Sequence, residues 1–75
     1  MKYEEAIQKS LTVKWVVGTC SQGEQCWCRV IKCEEPLMYK EREDSEEEEY
    51  CPVRAGEVGR LTVEHIVKIH NESIQ

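Results

Sequence analysis

Apolar and polar residues alternate most regularly between Leu11 and Cys33, where LTVKWVVGTC and CWCRVIKC flank the polar tip Ser21 to Gln25. A period of two, enriched in β-branched and aromatic residues, predicts two strands of a hairpin. With residues of equal parity facing the same way, one side collects Leu11, Val13, Trp15 and Val17 with Trp27, Ile31 and Cys33. The other side carries Lys14, Val16, Gly18 and Cys20 with Cys26, Cys28, Val30 and Lys32. Pairing odd with odd positions keeps the apolar set together, and a five-residue loop achieves it by setting Cys20 across from Cys26. Gly23 suits a tip residue with positive φ.

Outside the hairpin the period changes. Tyr3, Ala6 and Ile7 recur at helical spacing and predict a short helix over residues 3–9. Pro36 ends the second strand, and a short apolar patch, Leu37 to Tyr39, follows it. Tyr50 to Ala55 predicts a third strand, placed at a sheet edge by Pro52. Gly56 to Gly59 then reads as a turn, with Thr62 as the N-cap of a helix that runs to about Asn71. On that helix Val63, Ile66, Val67, His70 and Ile74 form one stripe, which should pack on the tryptophan side of the hairpin.

The expected fold class is therefore α+β. A small antiparallel sheet of about three strands, centred on the hairpin 11–33, is packed on one face by the C-terminal α-helix, with a short N-terminal helix beside it. All 75 residues are expected to form a single small domain. A core of this size yields only about 3–5 kcal/mol of net stability unless a metal, a crosslink or a partner chain adds to it.

Charge changes the picture at one place. The net charge is −5, yet residues 41–49 hold seven acids and one arginine, more negative charge than the whole chain carries. Like charges with nothing apolar to bury predict a solvated, mobile loop there. With no concentrated basic face, nucleic acid is not an expected ligand. No run approaches the roughly 20 apolar residues of a membrane span, and no apolar leader is visible at the N-terminus, so no membrane partner and a cytoplasmic location are expected.

Five cysteines, an odd number, argue for reduced thiols over a disulfide scaffold. Cys20, Cys26 and Cys28 gather near the hairpin tip on the side away from the tryptophans. Such thiols suit a zinc ion, with Cys51 or a histidine as fourth ligand, or a redox pair; packed, inert thiols are the bland alternative. His65 and His70 stand five residues apart, about 140° around a helix, which sets them against sharing one ion. Gly56 and Gly59 follow an expected strand and enclose Glu57, unlike a backbone-binding Gly-x-x-Gly loop, which follows a helix, so they read as a tight strand-to-helix connection despite Arg60 beside them. No thiol is placed beside a histidine base, and enzymatic activity is not expected.

What remains is the second sheet face. Val16, Cys20, Cys28 and Val30 have no evident cover, which predicts a non-catalytic protein interaction module that meets a protein partner or forms a homodimer through that face. Such a module needs no cofactor. Two alternatives stand beside it: a small zinc or thiol redox protein built on Cys20, Cys26 and Cys28, and an acidic mimic whose residues 41–49 block a nucleic-acid-binding protein.

Overall fold

A computed structural model describes residues 1–74, with backbone alone at positions 55 and 57. In chain order the elements are α1 (Tyr3–Ser10), β1 (Trp15–Thr19), β2 (Cys28–Cys33), β3 (Met38–Tyr39), β4 (Glu48–Glu49), β5 (Val53–Gly59) and α2 (Arg60–Ser73). Strands β1, β2 and β5 form an antiparallel sheet in that order, and α2 lies against all three. Strands β3 and β4 pair separately, with α1 beside β3. The α+β architecture expected from the pattern is the one observed.

The parity of the hairpin holds, while its register is offset. Trp15 faces Cys33, Val17 faces Ile31 and Gly18 faces Val30, with Thr19 and Arg29 as the last pair. Relative to the expected pairing this is a slip of two residues, which leaves every side chain on its original face. The slip arises at the tip. Instead of a tight five-residue loop, the chain makes a 3-10 turn at Gly23–Gln25, closed by Gly23 N–H to Cys20 C=O at 2.9 Å and Cys26 N–H to Gly23 C=O at 3.2 Å. Gly23 adopts φ +81° in that turn. The longer connection also carries Trp27 out of the sheet, so that it is 67% exposed beside Gly59 and does not join Trp15 in the core.

Leu11 is a second departure. It leaves α1 through a turn in which Leu11 N–H reaches Gln8 C=O and Thr12 N–H reaches Lys9 C=O, and its side chain is exposed. The strand begins at Trp15, where the outer edge is held by α2. Asn71 accepts from Trp15 N–H at 2.9 Å and donates to Trp15 C=O at 3.0 Å. The His70 ring stacks on the Trp15 indole at a centroid distance of 3.6 Å and an interplanar angle of 9°. Its Nε2 lies 2.7 Å from Val13 C=O, so that nitrogen carries the proton and donates.

Helix α2 presents the expected stripe to the sheet: Val63 is fully buried, and Ile66, Val67, His70 and Ile74 are partly buried. Its start differs from expectation. Strand β5 extends to Gly59, which takes the N-cap position, so the glycines of residues 56–59 belong to a strand and Thr62 lies inside the helix. Ile31 and Cys33 of β2, Val63 of α2, and Ala6, Leu37 and Tyr39 are buried, while Cys20, Cys28 and Val30 form a buried cluster with Cys26 packed against it. Tyr3, Tyr39 and Tyr50 pack with centroids 5.0–6.4 Å apart. The pairing of Tyr39 with Glu48 and Met38 with Glu49 draws the last two residues of the acidic segment into a strand. Pairing is favoured there because the Tyr39 hydroxyl donates to Glu48 and accepts from Arg54, both at 3.1 Å.

The most consequential irregularity is in β5. Between the pairs Arg29–Val58 and Ile31–Val53, β2 advances two residues and β5 five, so three extra residues bulge from the edge. Gly56 sits within the bulge at φ +89°, a conformation that costs an L side chain about 1–2 kcal/mol. Gly56 of this bulge lines a cavity beside Cys20, Cys26 and Cys28, on the side of the sheet that the pattern leaves bare. Of the four residues expected to form a contact surface, Cys20, Cys28 and Val30 are buried, and Val16 alone is exposed, at 40%. Val30 also closes over Gly18, where a Cβ would come within 2.9 Å of its Cγ2. Among the described residues no helix is long and apolar enough to cross a membrane.

Candidate metal centre

At the hairpin tip the sequence brings together the three thiols that its parity selects. Cys28 opens β2, Cys20 follows β1, and Cys26 leaves the 3-10 turn between them. Continuing the observed register sets Cys20 opposite Cys28, not Cys26, and Cys26 approaches from the loop. Their three Sγ atoms all lie within 4.8 Å of one another, the closest being Cys26 and Cys28 at 3.2 Å. A tetrahedral zinc ion with Zn–S bonds near 2.3 Å separates its sulfurs by about 3.8 Å, so the cluster matches a thiolate site after small adjustments.

Arg29 holds the loop in this shape. Its guanidinium donates to the carbonyls of Cys26 and Cys28 and, at 3.2 Å, to that of Glu24. A single planar fork therefore satisfies three loop acceptors and places positive charge beside the thiols. In the sequence, Arg29 carries no signal beyond being a lone cation immediately after Cys-x-Cys. Gly56, expected in a turn, instead lines the cavity beside the cluster, and its backbone acts to lower the Cys28 pKa.

The three thiols are electrostatically unequal. The Cys28 N–H donates to the Cys26 sulfur, and with the thiols of Cys28 and Cys20 and the charge of Arg29 it holds the Cys26 thiol below its usual range. Cys28 is pushed upward, first because it shares its proton with Cys26 and then by desolvation, against the pull of Gly56 N–H. The cluster therefore favours ionisation at the partly exposed Cys26 over Cys28. A cavity of about 360 Å³, lined by the thiols, Ser21, Gln22, Trp27 and Gly56, opens onto them.

Cys51, considered as a fourth ligand, does not join this group; among the described residues no fourth cysteine, histidine or carboxylate does. It lies two residues before β5, beyond the last pair Ile31–Val53 and toward the far end of β2 from the cluster. The histidines are also elsewhere, with His70 engaged by Trp15 and Val13 and His65 exposed on α2. All five cysteines are free thiols. Compared with protein-family models, curated proteins and solved structures, the chain matches none.

Proposed function

We propose that this small α+β domain binds a soft metal ion, zinc in the first instance, through Cys20, Cys26 and Cys28. The observation that carries the reading is the convergence of three sulfurs within 4.8 Å beside a cavity wide enough for a fourth ligand. Thiolates select zinc and copper(I) over hard cations, and three protein ligands leave one tetrahedral position for water or a small exogenous donor. An ion held there ties the loop to β2 and adds folding free energy to a chain with a small core.

Native mass spectrometry of protein supplied with zinc, together with a cobalt titration followed by sulfur-to-metal charge-transfer absorption, tests this. One ion per chain is expected, bound with release of about two to three protons because the ligating sulfurs must ionise. Cys20→Ser and Cys26→Ser should each weaken binding at least tenfold. A chain that takes up no metal, or one whose uptake survives both substitutions, overturns the proposal.

A second reading, a self-associating interaction module, is favoured by a different observation. The chain exposes 5579 Å² of surface, whereas a compact monomer of its mass exposes about 4,800 Å². The surplus goes with a thin shape that leaves Val16, Trp27, Leu61 and Ile69 exposed to a second copy. Metal binding and self-association are compatible, because the thiols lie at the hairpin tip while Val16 is exposed on β1.

A further inference from the structure

The two remaining cysteines stand at the opposite end of β2 from the metal centre. Strands β2 and β5 end their ladder at the pair Ile31–Val53, and two residues past it each side carries a cysteine, Cys33 closing β2 and Cys51 just ahead of β5, near enough that the charge of Cys51 acts on Cys33. Both then share the face of Ile31 and Val53. Opposed residues of antiparallel strands have Cα atoms about 4.5–5.5 Å apart, inside the span a disulfide bridges. Cys33 is buried and Cys51 is partly exposed, so one sulfur of the pair is reachable from solvent. Their surroundings agree: burial, then the charge of Cys51, pushes the Cys33 thiol up, and Glu49 acts on both thiols.

We propose that Cys33 and Cys51 are a second, redox-active site, closing a reversible cross-strand disulfide on reaction with a small-molecule disulfide. The Cys51 thiolate attacks one sulfur of the reagent, forming a mixed disulfide and releasing the first reagent thiol. The Cys33 thiolate then attacks the Cys51 sulfur and expels the second. The chain loses two hydrogen atoms, and the reagent disulfide is reduced to two thiols by the two electrons it receives. The bond closes a loop that contains β3, the acidic segment and β4, pinning that small hairpin to the main sheet. Both thiols ionise reluctantly, so closure is slow at neutral pH and accelerates as pH rises.

Tryptic cleavage makes the product legible, since Cys33 falls in peptide 33–40, Cys51 in 43–54, and the three metal-centre cysteines together in 15–29. Full-length native protein is incubated with oxidised glutathione, digested without reductant and mapped by mass spectrometry. The expected result is peptide 33–40 linked to 43–54, lost on treatment with reductant and absent from a Cys51→Ser chain. Crosslinks confined to peptide 15–29 overturn the inference, as do free Cys33 and Cys51 or a persistent glutathione adduct on Cys51. Because zinc binding is read on other residues, the two proposals fail independently.

Discussion

Cys26 differs from its neighbours in ways that set an order of reactivity. It is the most exposed member of the three-thiol cluster, and the Cys28 backbone, the neighbouring thiols and Arg29 act to lower its pKa. A lowered pKa raises the thiolate fraction at neutral pH, and the thiolate is the nucleophile. Limited alkylation with iodoacetamide should therefore label Cys26 before Cys20, Cys28 or Cys33, read by mapping the modified protein. The rate should fall only when pH drops below the lowered pKa, whereas thiols raised by burial slow at higher pH. Saturating zinc should protect Cys26. First labelling at Cys33 or Cys28 would contradict the electrostatic asymmetry described for this cluster.

Between elements, the contact with most at stake is Asn71 against β1. Its side-chain amide imitates a neighbouring strand, giving one acceptor and one donor to the two outward groups of Trp15. Asn71→Ala leaves both without their protein partner at a partly buried position, at a cost of about 1–3 kcal/mol. The denaturant midpoint should fall accordingly with an unchanged slope; a loss under about 0.5 kcal/mol would mean that water replaces the amide freely. The sequence pattern assigned Asn71 to a helix end, since nothing local reveals that a residue on the last turns reaches a strand 56 positions earlier. By contrast, the two faces of the hairpin were legible, because alternation survives a slip of two residues. That is also why Cys20, Cys26 and Cys28 were grouped correctly from a pairing that proved different. The β5 bulge left no trace in the alternation: three added residues around Gly56 change the cover of the sheet without changing any apolar period. The β3–β4 hairpin was hidden because its second strand is made of glutamates, residues whose composition speaks for solvent and whose pairing depends on Tyr39 and Arg54.

At the scale of the whole molecule, the chain is thin for its length. Its extents are 37 × 32 × 16 Å and its radius of gyration is 12.8 Å, against about 11 Å for a compact domain of this size. One helix over three strands, with a second small hairpin alongside, buries few large side chains, and Trp27, Leu61 and Ile69 remain more than half exposed. For a domain whose net stability is only a few kcal/mol, removing such groups from water at about 25 cal/mol per Å² is a large available gain. The gain is realised if a second copy covers them. Light scattering during size exclusion should return a mass near twice 8.8 kDa at micromolar concentration. Leu61→Lys, at a position of α2 that is 79% exposed, should shift the equilibrium toward the single chain. The zinc content separates an apolar interface from a metal-bridged one: a dimer that persists with chelator present is held by side chains, whereas one that dissolves is held by thiolates shared between copies. A chain that stays monomeric up to high micromolar concentration, with and without zinc, would mean that its surplus surface serves no copy of itself.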